Sequence, residues 1–102
     1  MGLEIVLEDE AGHELDRVSD SQGVLNRLIR ERVDECFQCL RFIDPYGDTV
    51  FNRLQMKQLN FELGKLSEVA IKPNEQALLQ KFKELSIRCR DQIHSYIKIY
   101  GD

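Results

Sequence analysis

Phe42-Ile43-Asp44-Pro45-Tyr46-Gly47-Asp48-Thr49-Val50-Phe51-Asn52 divides this chain into a hairpin and one helix before it and two helices after it. Asp44-Pro45-Tyr46-Gly47 has type I turn chemistry: aspartate bonds back to the backbone, proline presets φ, and glycine closes the turn. Asn52 is placed as a helix N-cap, with Gln55 three residues on to complete a capping box and Phe51 and Met56 spaced as a hydrophobic staple. The plain reading is a rigid turn that aims a helix.

Two chemical readings compete with it. Asp44, Asp48 and Asn52 fall at the first, fifth and ninth positions of an EF-hand loop. However, Tyr46 replaces the third ligand, Thr49 stands where glycine is needed, and Gln55 replaces the bidentate glutamate. Alternatively, Asp44, Tyr46 and Asp48 form an acid/base site on a loop, though no nucleophile, phosphate loop or metal-ligand set accompanies them.

Before this stretch, Leu3-Glu4-Ile5-Val6-Leu7-Glu8 alternates as a half-buried strand with Leu3, Ile5 and Leu7 inward. A turn at Asp9–Gly12 and a weaker second arm from His13 to Val18 complete a hairpin, although Leu15 and Val18 do not alternate. Ser19 and Gln22 stand at capping-box spacing ahead of a first helix expected over 24–42. Leu25, Leu28, Ile29, Val33, Cys36, Phe37 and Leu40 share its apolar face. Cys36-Phe37-Gln38-Cys39 is a C-x-x-C, but Cys89 and His94 do not converge as two further zinc ligands on one helix. The three cysteines are therefore expected to be reduced core residues, and no metal is assigned.

After the stretch, a second helix over 52–67 buries Met56, Leu59, Leu63 and Leu66. Leu54 and Phe61 lie about 150° round from that stripe. They are either sandwiched inside the domain or shown to a partner. Gly64 in mid-helix suggests close packing by another element. Pro73-Asn74-Glu75 is read as a stop, an N-cap and a first-turn acid for a third helix, with Ala77, Leu78, Phe82, Leu85, Cys89, Ile93 and Tyr96 inward. Residues 95–100 switch to period 2 and are expected to close the hairpin as a strand, because a lone hairpin is marginal. Gly101-Asp102 is expected to be tied down.

The 102 residues make one domain, 1–102, with a net charge of −4. Residues 1–20 hold Glu4, Glu8, Asp9, Glu10, Glu14, Asp16 and Asp20 against Arg17 alone. That balance disfavours nucleic acid and anionic membranes, and no apolar run approaches a membrane span. No signal-peptide pattern stands at the amino terminus, so a cytoplasmic protein is expected.

Arg41–Asn52 and the ending Tyr96-Ile97-Lys98-Ile99-Tyr100-Gly101-Asp102 resemble a group of short bacterial proteins with no assigned function, alike in length and sharing a Y-x-K-x-x-G-D finish. The resemblance implies a bacterial cytoplasmic protein and carries over no catalytic residues.

The expected architecture is α+β, mainly α, with three helices packed on a small antiparallel sheet formed by the N-terminal hairpin and a C-terminal strand. The expected function is a non-enzymatic interaction protein without cofactor, either a homodimer or a partner-binding module of the immunity or regulatory kind. Leu54 and Phe61 are the candidate contact residues. The alternative is a small hydrolase or metal-binding protein using Asp44, Tyr46 and Asp48.

Overall fold

Alternating apolar residues at both ends of the chain meet in one sheet. In the computed structural model, which describes residues 2–70 and 72–101, β1 (Glu4–Asp9), β2 (Glu14–Ser19), β3 (Asp48–Asn52) and β4 (Ser95–Tyr100) form an antiparallel sheet. Its strand order is β2-β1-β4-β3. β1 pairs with β4 over its whole length, from Glu4 opposite Tyr100 to Asp9 opposite Ser95. The strand over 95–100 is therefore present, and it lies in the middle of the sheet. Ile5, Leu7, Phe51, Ile97 and Ile99 join the buried residues of the helices in one hydrophobic cluster. The expected α+β class holds, with four strands rather than three.

The hairpin turn is set by Asp9, whose Oδ1 accepts from the N–H of Ala11 (2.9 Å) and His13 (2.8 Å). Gly12 adopts φ 85°, which glycine reaches without a Cβ penalty. Leu7 faces Asp16 while Glu8 faces Glu14, so Leu15 is the extra residue of a β-bulge. That bulge is why Leu15 and Val18 fail to alternate in sequence.

Three α-helices follow: α1 (Val24–Arg32), α2 (Met56–Val69) and α3 (Pro73–Asp91). α3 crosses β1, β2 and β4 and packs beside α1 and α2. The start of α1 is capped not by Ser19 but by buried Asp20. Its carboxylate accepts from the N–H of Val24 (2.9 Å) and Leu25 (2.7 Å). Ser19 instead donates to Glu4 across the hairpin.

The main correction concerns residues 33–42. The first helix was expected to run to Phe42 but ends at Arg32, where Val33 turns extended. Asp34 Oδ1 takes the N–H of Cys36, the N–H of Phe37 bonds to the carbonyl of Asp34, and a short 3-10 helix follows at Leu40–Phe42. Glu62 of α2, 1% exposed, reaches into this segment. Its carboxylate accepts from the N–H of Gln38 (2.7 Å), Cys39 (3.0 Å) and Leu40 (2.9 Å), and from Gln58 Nε2 (2.6 Å). Three successive amides gathered on one anion replace the helical ladder there. Phe37, Cys39 and Leu40 stay buried, which is why their spacing reads as a continuing helix face, but Cys36 is exposed and leaves the core.

The capping box at Asn52 is present. Asn52 Oδ1 accepts from the N–H of Gln55 (3.2 Å), and Gln55 Oε1 accepts from the N–H of Asn52 (2.8 Å). It caps a 3-10 turn, Arg53–Gln55, that runs on into α2. Phe51, Met56, Leu59, Leu63 and Leu66 are buried as expected. The close packing expected at Gly64 is not found, since a Cβ there would meet only Lys83 Nζ, at 4.0 Å. At the next helix start Lys72, not Asn74, is the cap and Pro73 is the first helical residue, where its missing N–H costs nothing. Glu75 Oε1 accepts from the N–H of Lys72 (3.1 Å), and its other oxygen pairs with Arg27 of α1 (2.8 Å). Ile93 is exposed and Ala77 lies outside the core, while Leu79 takes a place there.

Glu62→Ala strands three amides, two of them buried. It is expected to lower the unfolding free energy by about 3 kcal/mol or more, with Glu62→Gln losing less because one acceptor oxygen remains. Urea unfolding followed by circular dichroism measures both.

Candidate functional site

The turn that opens β3 is built by Asp44. Its Oδ1 accepts from the N–H of Tyr46 (2.9 Å), its carbonyl from the N–H of Gly47 (3.4 Å), and its own N–H donates to Thr49 Oγ1 (2.9 Å). A Cβ at Gly47 would lie 2.7 Å from Asp44 Oδ2. Gly101 then seats on the turn: its N–H donates to the carbonyl of Gly47 (2.7 Å), and a Cβ there would stand 2.6 Å from the carbonyl oxygen of Pro45. The expectation that Gly101 is tied down therefore holds; Asp102 lies outside the described residues. The central block and the carboxyl-terminal segment singled out in sequence are thus neighbours in space, through this contact and through the β3–β4 ladder.

The candidate residues have diverging environments. Asp44 is engaged by its own turn, whereas Tyr46 is 76% exposed beside it. Asp48 begins β3 opposite Tyr100. Leu54, in the 3-10 turn, is 83% exposed, and Phe61 on α2 is 62% exposed with Lys65 Nζ 5.6 Å from its ring centroid. Leu54 and Phe61 are therefore on the surface rather than sandwiched inside.

Sequence reasoning missed the outer face of the sheet, because it did not foresee β3. The ladders align three rows across the strands: Ser19–Glu4–Tyr100–Asp48, Arg17–Val6–Lys98–Val50 and Glu14–Glu8–Tyr96–Asn52. The run Thr49-Val50-Phe51, rich in strand formers directly after a turn, was the signal available. Arg17 bridges Glu4 (2.7 Å) and Glu14 (2.8 Å), and Ser19 Oγ donates to Glu4 (2.7 Å). These bonds, that from Ser19 foremost, hold the Glu4 carboxyl below its usual range. The Tyr100 hydroxyl donates to Glu8, and this bond to a carboxylate pushes the phenol up. Lys98 Nζ lies 4.9 Å from the Tyr100 ring centroid. Its ammonium is raised first by Tyr100 and then by Glu8 and Asp48. Val6 is 1% exposed in the middle of this face, between Arg17 and Lys98. Long polar side chains cover apolar surface with their stems in this way.

The cysteines separate. Burial, with Glu62 adding to it, pushes the Cys39 thiol up to about 11, and burial also raises Cys89. Among the described residues no group of three or more His, Cys, Asp or Glu side chains is placed to hold a metal ion, and no helix is long and apolar enough to cross a membrane.

No family model matches the chain, and no curated protein or solved structure matches it.

Asp44→Ala is expected to cost about 1 kcal/mol through the lost turn bond, and Asp48→Asn to be neutral within about 0.5 kcal/mol. Thermal unfolding checks both. Alkylation of the folded protein by iodoacetamide at pH 8 is expected to add one label, at Cys36, with Cys39 and Cys89 reacting only after denaturation; intact-mass spectrometry counts the labels.

Proposed function

We propose that this chain is a non-enzymatic interaction protein that engages a protein surface through the exposed apolar residues in and around its central turn and the start of α2. Five of the eight large hydrophobic residues exposed among the described residues come from 42–61, namely Phe42, Tyr46, Val50, Leu54 and Phe61. That concentration carries the reading: scattered surface apolar residues need no explanation, while a run of them on one segment marks contact surface. The acid/base alternative on Asp44, Tyr46 and Asp48 has less support, since Asp44 already holds its turn and Tyr46 points away into solvent.

The likeness of Arg41–Asn52 and Tyr96–Asp102 to short bacterial proteins supports a bacterial cytoplasmic setting, as does the free state of all three cysteines. A module of the immunity or regulatory kind fits a small domain whose surface, rather than a cleft, does the work. The net charge of −4, concentrated in the first twenty residues, argues against nucleic acid as the partner.

Leu54→Glu combined with Phe61→Glu is expected to leave secondary structure unchanged and stability within about 0.5 kcal/mol, because both side chains are exposed. The same variant should weaken association. Sedimentation velocity reads self-association, and parallel affinity capture from bacterial lysate reads other partners. An unchanged mass together with an unchanged set of retained proteins would overturn the reading.

A further inference from the structure

The two edges of the sheet are unlike. β2 carries a bulge and Glu14, Asp16 and Arg17 within six residues, and Arg88 of α3 adds a 2.6 Å ion pair to Asp16. Bulges and charges are the devices that keep an edge strand from pairing with another chain. β3, at the other edge, reads Asp48-Thr49-Val50-Phe51-Asn52, with no lysine, arginine, proline or glycine and an unbroken register against β4. Its exposed middle residue is Val50, 54% accessible, and the exposed apolar residues Tyr46 and Leu54 stand four positions to either side. The open edge therefore places exposed Val50 at its centre, with the polar residues Asp48 and Asn52 two positions to either side.

Resting on the interaction reading above, we propose that the partner is a second copy of this chain. Two β3 strands pair antiparallel to give an isologous dimer with Val50 on the two-fold axis and one sheet running through both subunits. In that register Val50 faces Val50 of the second copy, Thr49 faces Phe51, and Asp48 faces Asn52. Asp48 and Asn52 both project from the outer face of the sheet. The Asn52 side-chain oxygen is engaged by Gln55, which leaves its amide N–H groups to donate to the Asp48 carboxylate. Beyond the strand ends the chain turns, with exposed Tyr46 of each copy on the same side of the axis as exposed Leu54 of the other. The register is selective. Moving the axis to Thr49 sets Asp48 against Val50, moving it to Phe51 sets Val50 against Asn52 and leaves Asp48 without a strand residue opposite, and parallel pairing sets Asp48 against Asp48. Each gives up the Asp48–Asn52 pair for a mismatch.

The test uses the full chain. Wild-type protein is expected to sediment at twice the 11.9 kDa chain mass. Val50→Lys sets two lysines directly opposite one another, with Cβ atoms about 5 Å apart across the axis, and so puts like charges against each other. It should raise the dissociation constant by about 100-fold or more while circular dichroism stays unchanged. Ile93→Glu, at an exposed apolar residue outside this segment, should leave the dimer intact. In a Cys36→Ser background, Val50→Cys should form an intermolecular disulfide under mild oxidation, because directly opposed residues in an antiparallel pair lie within disulfide reach. Leu54→Cys, which meets Tyr46 rather than itself, should not.

A wild-type monomer at concentrations up to about 1 mM overturns the dimer and leaves a different protein as the partner. A dimer that survives Val50→Lys but is lost with Phe61→Glu also overturns it, placing the contact on α2 and leaving the interaction reading standing. If Val50→Cys cross-links no faster than Leu54→Cys, the axis is wrong and the proposal falls.

Discussion

A single buried carboxylate fixes the middle of this molecule. Glu62 sits at 1% exposure among core residues and gathers the amides of Gln38, Cys39 and Leu40. A carboxylate in that position is tolerable only with its lone pairs filled, and three converging N–H dipoles plus Gln58 fill them. The bond network works in both directions. It neutralises the desolvation of Glu62, and it gives the backbone of 38–40 the partners that a helix would otherwise have supplied. Because the segment is held to α2 and not to α1, the chain can leave the first helix early and still bury Phe37 and Leu40. The turn at Asp44 then starts where it can lay β3 beside β4.

This interaction also explains where sequence reading succeeded and where it failed. Elements governed by local chemistry were legible: the alternation of Ile5, Leu7, Ile97 and Ile99, the Asp9 turn, the Asn52–Gln55 cap and the stripe Met56, Leu59, Leu63 and Leu66. The end of α1 was not legible, because its cause lies in Glu62, more than twenty residues away. Val33, Phe37 and Leu40 keep helical spacing by coincidence with a loop that buries the same side chains. β3 was overlooked because five residues between a turn and a cap make too short a pattern to separate from either neighbour. With β3 went the outer face of the sheet, whose rows exist only through long-range register. Of the candidate site residues, exposure of Leu54 and Phe61 followed one of the two alternatives that their spacing left open. The engagement of Asp44 by its own turn followed from the turn chemistry itself.

The outer face and the β3 edge differ in kind. On the face, Glu4, Arg17, Ser19, Glu8, Tyr100 and Lys98 answer one another within the chain. Exposed ion pairs of this sort add little to stability. They do keep that side wet and saturated, which leaves less for a partner to gain there. On the segment from Phe42 to Phe61 five large apolar side chains stand exposed among polar ones such as Asp48 and Lys57, and among the described residues no strand lies beside the backbone edge of β3.

The pairing of β1 with β4 has a consequence for how the chain folds during synthesis. The amino-terminal hairpin emerges first but occupies one edge of an unfinished sheet. The strand that must lie beside it is made after all three helices. Until then Ile5 and Leu7 lack the neighbours that bury them, and long-range antiparallel pairing of this type is slow relative to helix formation. Until β4 is made, the hairpin exposes apolar residues that the finished sheet buries. Apart from buried Asp20, the acidic residues crowded into the first twenty positions stay at least partly exposed, and their like charges oppose association of such an intermediate.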